Sequence, residues 1–298
     1  MTLVPRVVVV HRRTELDELL ERHGTRGQAE FFLRTRGLTL SEAQARHDAQ
    51  SDAIRQVRAA IPVDWRRGDA ERDDLHRFGF EAGDLVVVVG QDGLVANTAK
   101  YLDAQPVIGI DPEPGRNPGV LVTHRPNTTG ELLLASAAGT AAVQHRAMVR
   151  ATLDDGQQLD ALNEIYIGHP SHQSARYQIA VPGADEPERQ SSSGLITTSG
   201  TGATGWAASI SRERVTRLSL PGVTDQALAW FVREAWPSPA TGTSLTCGLL
   251  NPGDSLRIVV ESDALVVFGD GLETDRVTAT WGQNVTIGLS ARSLQLIV

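Results

Sequence analysis

Two polar segments, more than a hundred residues apart, contain the residue types that bind phosphate and move a proton. Gly90-Gln91-Asp92-Gly93 directly follows an apolar run at residues 85–89, so a strand ends at a carboxylate flanked by glycines. Such a turn can bring bare backbone and one carboxylate up to a phosphate. The loop at residues 197–206 is rich in Gly, Thr and Ser, and its N–H and hydroxyl groups could bind a second polar ligand. Together the segments suggest a phosphoryl-transfer enzyme that acts on a nucleotide.

Asp92 is the candidate catalytic residue. Open α/β sheets bind ligands beyond the carboxyl ends of their strands, and a carboxylate there can accept the proton of an attacking hydroxyl. An Asp-Gly turn that only caps the next helix has the same sequence, so spacing alone leaves both interpretations open. Lys100, the only lysine, is a candidate phosphate contact or part of a solvated helix face. No glycine-rich Walker pattern precedes it, which excludes a P-loop.

Three other motifs carry weaker signals. Asn163-Glu164 precedes the apolar residues 165–167, where an amide and a carboxylate could hold an adenine edge and a ribose diol, or simply begin an exposed strand. Residues 200–205 match the G-x-G-x-x-G dinucleotide fingerprint, but no clear βαβ unit surrounds them. His169 and His172 lie in a Pro-containing loop with no third ligand nearby, so no metal site is predicted.

The first half of the chain must position Asp92. Residues 6–10 and 85–89 are β-branched runs without alternation, which is typical of strands buried on both faces of a parallel sheet. Residues 61–65 and 107–110 are shorter candidate strands. We expect two or three helices before residue 85, one of them beginning at a Ser41/Gln44 capping box, and another over residues 93–102. Residues 1–125 are therefore predicted to form an α/β domain with a parallel-type sheet.

A proline-rich stretch from Asp111 to Thr129 marks the predicted domain boundary. After a helix over residues 129–143, short strand-like segments alternate with Gly, Pro, Asp and Asn. Helices are predicted near residues 206–212 and 225–235. Residues 126–298 are thus predicted to form a β-rich nucleotide-binding domain, and we expect the last residues to pack back on the first domain.

Composition excludes several classes of protein. The 298 residues carry a formal net charge of -8 and no basic cluster interleaved with aromatics, which argues against a nucleic-acid partner. Cys247 is the only cysteine, so no intrachain disulfide can form. The sequence contains no long apolar signal region and no run of about 20 apolar residues. A soluble cytoplasmic protein without a membrane partner is expected.

The ordered set of motifs resembles the NAD kinase family. That family carries GGDG, an Asn-Glu pair, an Asp-Gly followed by TPTGSTAY, and a late Asp-Gly in a β-rich domain. The resemblance covers roughly residues 85–290. The matching segments of this chain are Gly90–Gly93, Asn163-Glu164, Ser193-Gly194, the loop from Ser199 to Trp206, and Asp270-Gly271.

The resemblance implies an enzyme that transfers the γ-phosphoryl group of ATP to the adenosine ribose 2′-hydroxyl of NAD or NADH. It implies Mg²⁺ held through the phosphates, a homo-oligomer, and Asp92 as the general base. Gly90, Gln91 and Gly93 would lie along the phosphates. The adenosine part of the acceptor would be held by Asn163 and Glu164. The second ligand-binding loop would include Thr201, Gly202 and Thr204, with Ser193 and Trp206 at the positions of a family aspartate and tyrosine.

Three departures from the family pattern concern the ligand side. Gln91 replaces a glycine, Ser193 replaces an aspartate, and Trp206 enlarges an aromatic side chain. These replacements keep open a second hypothesis, a non-catalytic dinucleotide-binding regulator on the same fold. A Rossmann-type dehydrogenase using residues 200–205 is the third. NAD against NADH as acceptor, and ATP against polyphosphate as donor, also stay open.

Overall fold

The computed structural model describes residues 4–116, 119–214 and 218–298. Two compact units are present: an N-terminal unit, Met1–Gln144 with Gln295–Val298, and a C-terminal unit, His145–Leu294. The predicted boundary at residue 125 and this division differ because the helix after the proline-rich stretch packs on the N-terminal sheet through Leu133. Pro118, within that stretch, lies outside the described residues.

The N-terminal unit is built on a parallel sheet. Its strands are β1 (Arg6–His11), β2 (Arg66–Glu71), β3 (Asp84–Val89) and β4 (Pro106–Ile110). They pair in the order β2-β1-β3-β4, and every pair is parallel. Gln295 and Leu296 add a further parallel pairing to β4, which places the last residues of the chain in this unit.

Helices enclose this sheet because its central strands are apolar on both faces. Alternate valines of β1 and β3, such as Val7 and Val87, pack with Val57 and Leu133 on one face. The valines between them, such as Val8 and Val88, are equally buried. Sequences of this kind are typical of parallel strands covered on both sides. The helices are α1 (Glu15–His23), α2 (Arg26–Arg34), α3 (Leu40–Ala60), α4 (Asp92–Ala99) and α5 (Thr129–Ala137), with 3-10 turns at Arg72–Arg77 and Pro126–Thr128.

Two local predictions in this unit are wrong. The expected strand at residues 61–65 is the turn that follows α3, and the strand is β2, whose sequence is mostly polar. A hydrophobic pattern misses β2 because it is an edge strand and largely exposed. The Ser41/Gln44 capping box does not form: α3 begins after Thr39, and Gln44 bonds Arg26 and Asp48 instead.

The C-terminal unit contains two mainly antiparallel sheets. The strands are β5 (Val143–Leu153), β6 (Gln158–Ala161), β7 (Glu164–Gly168), β8 (Ala175–Ala180), β9 (Glu188–Ser192), β10 (Gly194–Ser199), β11 (Leu228–Arg233), β12 (Cys247–Leu250), β13 (Ser255–Val260), β14 (Ala264–Gly269), β15 (Leu272–Thr280) and β16 (Asn284–Ile297). The first sheet has six strands in the order β12-β11-β10-β7-β14-β15, and the second joins β16, β13, β8 and β9, with β5 paired to β16 and β6. A 3-10 turn (Gly202–Thr204) and α6 (Trp206–Glu213) follow β10.

One core lies between the two sheets of this unit. Ile165 and Leu195 of the first sheet pack with Tyr177 and Ile258 of the second. The helix predicted at residues 225–235 is wrong, because these residues contain β11, which lies between β10 and β12. Its run of Leu, Trp, Phe and Val suits a strand buried on both faces. The parallel α/β unit and the β-rich unit confirm the predicted fold class.

Among the described residues, no helix combines the length and apolar character needed to cross a bilayer.

Candidate active site

The Asp92 carboxylate is held by backbone donors from a neighbouring loop. Oδ2 accepts a hydrogen bond from the N–H of Val120 at 2.7 Å, and Oδ1 accepts from Leu121 and Val122 at 3.0 Å each. Asp92 is also the first residue of α4, directly beyond the carboxyl end of β3. A carboxylate offers about four lone-pair positions, so these three donors orient the group and leave capacity on Oδ2.

Gly119 makes this arrangement possible. A methyl group added there would lie 2.9 Å from the carboxyl carbon of Asp92 and still closer to Oδ1. Such distances are too short for any side chain at residue 119, so the loop approaches the carboxylate only because a glycine is present. The pairing of Asp92 with Gly119 carries no local sequence signal, since the two are separated along the chain.

Asp92 borders a cleft of about 250 Å³ at this end of the sheet. Gly90, Gln91 and Gly93 line the cleft with it, and so does Asp111, which follows β4. Gln91 and Gly93 are exposed, whereas Gly90 is buried. Two carboxylates and exposed backbone therefore share one small polar cavity, which is suited to a phosphate group that carries a divalent cation.

Asn163 and Glu164 are held in the C-terminal unit by a second aspartate. The carboxylate of Asp270 accepts from the N–H groups of Leu162 at 2.9 Å, Asn163 at 2.6 Å and Glu164 at 3.4 Å. Asp270 lies in the turn between β14 and β15, adjacent to Gly269, which pairs with Ile165 of β7. This aspartate fixes the start of β7, where both predicted acceptor-binding residues lie.

The 197–206 loop meets the same segment. The carbonyl of Asn163 accepts from the N–H of Ser199 at 2.8 Å and from the hydroxyl of Thr198 at 3.1 Å. A methyl group on Gly202 would lie 2.5 Å from Thr198 Oγ1 and closer to the Asn163 carbonyl. Gly202 is therefore required for close backbone approach, and the structure brings it together with Asn163.

Glu164 is the most perturbed acid of this region. Burial of its carboxyl, with a smaller contribution from the Asp270 carboxylate, raises its pKa from 4.5 to about 7. A carboxyl group with this pKa gains or loses its proton near neutral pH. Its ionised form accepts hydrogen bonds from hydroxyl groups, and its protonated form can donate one to them. Strongly shifted groups of this kind cluster at functional sites, although structural networks also produce them.

Trp206 and Ser193 are linked through Tyr166. The Trp206 and Tyr166 rings stack with centroids 5.8 Å apart, and the Arg233 guanidinium lies 5.2 Å from the Trp206 ring centre. The Tyr166 hydroxyl donates to the carbonyl of Ser193 at 2.8 Å. Because Tyr166 lies two residues beyond Glu164 on β7, this aromatic cluster is continuous with the Asn163-Glu164 segment.

The two threonines of the predicted loop differ in accessibility. Thr201 is buried, and among the described residues its hydroxyl has no hydrogen-bond partner. Thr204 is exposed and its hydroxyl donates to the Thr201 carbonyl at 2.9 Å. Only Thr204 therefore presents its side chain at the surface.

Three weaker motifs are now located. The glycine-rich loop at residues 200–205 follows β10, which is antiparallel to both of its neighbours, so it does not open the parallel βαβ unit of a Rossmann site. Lys100 is buried, with 7% of its surface exposed, and is not on a solvated helix face. His169 Nδ1 accepts from the N–H of Ser171 at 3.1 Å in a local turn.

The fold is that of an NAD kinase-like architecture. A solved structure with this architecture is yeast NADH kinase complexed with NADH, which is 13% identical to this chain. The similarity covers 100% of this chain and 84% of that chain with a TM-score of 0.61. At this identity the likeness establishes the fold. No protein-family model matches the chain, and no curated protein matches it significantly.

Four residues of these regions were not among the predicted site residues: Asp111, Gly119, Tyr166 and Asp270. The position of Asp111 could have indicated it, because it directly follows an apolar strand and Asp92 lies three residues after one. Asp270-Gly271 was visible as an Asp-Gly turn, but its partners were not. Gly119 and Tyr166 act through contacts with distant residues, which local sequence does not reveal.

Proposed function

We propose that this protein is a phosphotransferase that transfers the γ-phosphoryl group of ATP to the adenosine ribose 2′-hydroxyl of NAD or NADH. The observation that carries the proposal is the placement of Asp92 beyond β3, in a cleft, with its carboxylate oriented by three backbone N–H groups. The NAD kinase-like fold supports it, as does the order of the motifs along the chain.

In this reaction the 2′-oxygen forms a bond to the γ-phosphorus while the bond from that phosphorus to the β–γ bridging oxygen breaks. The hydroxyl proton passes to Asp92, and ADP leaves. Phosphoryl transfer of this kind depends mainly on positioning and charge stabilisation, so one oriented carboxylate and several backbone donors are chemically adequate. Gly90, Gln91 and Gly93 would line the donor phosphates.

Asn163 and Glu164 would bind the adenosine of the acceptor, with Gly202, Thr204, Ser193 and Trp206 around the rest of the dinucleotide. Asn163 offers an amide, and Glu164 can accept from a ribose hydroxyl when ionised or donate when protonated. Thr201 would support the loop from within, since its side chain is buried.

Magnesium fits the cleft next to Asp92. Mg²⁺ typically binds one or two carboxylates together with substrate phosphates, and the carboxylate of Asp111 lines the same cleft. When bound with the donor, the ion would neutralise charge on the phosphates. Asp111 would hold it, while one of its oxygens accepts the N–H of Glu113 at 2.9 Å.

The proposal is tested by measuring NADP formation from NAD and NADPH formation from NADH, with ATP or polyphosphate and Mg²⁺, for the wild type and Asp92→Asn. We expect activity with at least one pair and about a 10²- to 10⁴-fold loss of kcat in the variant, the usual contribution of a general base. Asparagine keeps one oxygen for the N–H groups of Leu121 and Val122, so a folded variant is expected by circular dichroism. Near-normal turnover by Asp92→Asn would contradict the mechanism.

A second candidate function is a dinucleotide-binding regulator. The observation that favours it is the similarity between Asp92 and Asp270, which accept three backbone hydrogen bonds each. If Asp92 were only an anchor for its loop, the protein would bind NAD without turning it over. Calorimetric NAD binding by a wild type that is inactive in every donor–acceptor pair would support this function.

A further inference from the structure

The N-terminal sheet changes direction between β1 and β3. From β1 the chain passes through α1, α2 and α3 to β2 on one side, and from β3 it passes through α4 to β4 on the other. In open α/β sheets, ligands bind beyond the carboxyl ends of the two strands that flank such a switch point. The relevant ends here are the Gly90-Gln91 turn after β3 and the segment that follows His11 at the end of β1.

Arg12 is the first residue after β1. It lines a cleft of about 140 Å³ together with Gly90 and Gln91. Its backbone is fixed, because Gln50 Nε2 of α3 donates to the Arg12 carbonyl at 2.6 Å. The switch point therefore presents an arginine from one strand beside the phosphate-type turn of the next.

Arg12 differs from the arginines around it in its ion pairs. Arg13 forms an ion pair with Glu21 at 2.7 Å, and Arg46, which lines the same cleft as Arg12, pairs with Glu15. Within the described residues, the Arg12 guanidinium has neither an ion pair nor a hydrogen bond, and the residue is exposed. The Arg12 guanidinium is therefore available to an anionic ligand.

The remaining charges of the cleft select the kind of anion. Asp111 and Glu113 also line it, and Glu113 pairs with Arg116 at 2.8 Å. A bare phosphate would be repelled by Asp111, whereas a polyphosphate that carries Mg²⁺ presents charges of both signs. Such a ligand can place a metal ion near Asp111 and phosphate oxygens near Arg12.

We infer that Arg12 binds the triphosphate of the phosphoryl donor, opposite the Gly90-Gln91 turn. The inference rests on the proposed function for the identity of the ligand, and it adds a donor-binding residue that the sequence motifs did not include. A guanidinium is suited to this role because its planar set of N–H groups can bind two phosphate oxygens at once. In a chain whose only lysine is buried, arginine is the residue type left for this contact.

The test is equilibrium binding of Mg-ATP and of Mg-tripolyphosphate to the full chain, compared for the wild type, Arg12→Gln and Arg13→Gln. We expect Arg12→Gln to raise the dissociation constant for both ligands about 10- to 100-fold, as for loss of a charged hydrogen bond. Arg13→Gln removes an equal charge one residue away and should change it by about twofold at most. Arg12→Lys should give an intermediate value, and adenosine binding should not change.

The outcomes separate this inference from the proposed function. If Arg12→Gln weakens Mg-ATP binding but no variant or wild type forms NADP, the inference holds and the proposed function fails. If NADP is formed and Arg12→Gln leaves the KM for ATP unchanged, the proposed function holds and the inference fails. A wild type that binds neither Mg-ATP nor Mg-tripolyphosphate overturns the inference, as does an equal effect of Arg13→Gln.

Discussion

Asp92 in the N-terminal unit and Asp270 in the C-terminal unit use their carboxylates in the same way. Each precedes a glycine, and each accepts hydrogen bonds from three consecutive backbone N–H groups of a distant segment. In both cases the aspartate fixes a segment that would otherwise leave polar backbone groups without partners. The hydrogen-bond pattern alone therefore cannot distinguish a catalytic aspartate from a structural one.

The surroundings of the two aspartates differ. Asp270 and Gly271 form the two-residue turn of the β14–β15 hairpin, with φ of 55° and 65°, the geometry that such turns require. Asp92 instead begins a helix beyond a buried parallel strand and borders a cleft with Asp111. Asp92 is therefore the candidate base because of its position at the end of the parallel sheet, and not because of the bonding of its carboxylate.

Asp270→Ala should have the largest effect on stability. It leaves the N–H groups of Leu162, Asn163 and Glu164 without their acceptor, and we expect a loss of about 2–4 kcal/mol in the free energy of unfolding. Urea denaturation measures this loss. Asp270→Asn keeps an acceptor and tolerates the positive φ, so it should lose less.

The asparagine variants of the two aspartates should differ in kcat. Asp270→Asn should retain a kcat within about tenfold of the wild type, whereas Asp92→Asn should not. An Asp270→Asn enzyme that is stable but inactive would show that the roles of the two aspartates have been assigned wrongly.

Substitutions at two glycines should also separate an effect on kcat in one unit from an effect on stability in the other, with smaller magnitudes. Gly119→Ala places a methyl group against the Asp92 carboxylate, and Gly202→Ala places one against Thr198 and Asn163. We expect Gly119→Ala to lower kcat about 10- to 100-fold, because a displaced base is a poor one. Gly202→Ala should instead cost about 1–3 kcal/mol of stability, as overpacking does.

Gly83→Ala is the matched control for both variants, since an added methyl group there contacts nothing within 4 Å and the residue lies outside the proposed site. Its kcat and urea midpoint should stay close to those of the wild type. If Gly119→Ala keeps full activity while Gly202→Ala abolishes it, the N-terminal loop does not position the reactive carboxylate.

The sequence predicts the reactive segments better than it predicts what holds them. Buried parallel strands have unbroken runs of valine, so residue types alone predict β1 and β3. The position of Asp92 after β3 follows from the same pattern. Residue types do not predict the edge strand β2, because an exposed strand needs no apolar pattern. The hydrophobic run of β11 was predicted as a helix, since periodicity cannot separate a short buried strand from a helix.

The contacts that orient the site are also beyond local sequence. Asp92 binds residues 120–122 and Asp270 binds residues 162–164, pairings that depend on the completed fold. In the sequence Arg12 is one of many arginines. Its lack of an ion pair among the described residues, and its neighbours in the cleft, are known only from the structure. The raised pKa of Glu164 likewise depends on burial, which the exposed-strand interpretation of Asn163-Glu164 would not provide.

Glu164 gives the smallest effect, a pH dependence of stability. Its pKa is about 7 in the folded protein against 4.5 for an unperturbed glutamate. Between these values the folded state holds a proton that the unfolded state has released, so stability falls as pH rises from about 4.5 to about 7 and then levels off. Glu164→Gln cannot ionise and should be free of this fall.

We therefore expect the melting temperatures of the wild type and Glu164→Gln to agree near pH 4.5 and to diverge by pH 8, where the variant is the more stable. The pH at which the divergence levels off reports the pKa of Glu164 in the folded protein. Because the Asp270 carboxylate adds to the shift, this pH should be lower when both proteins carry Asp270→Asn. Parallel profiles of the two proteins, with no divergence above pH 4.5, would contradict the raised pKa of Glu164, and an unmoved levelling-off would show that Asp270 acts on its neighbour through the backbone alone.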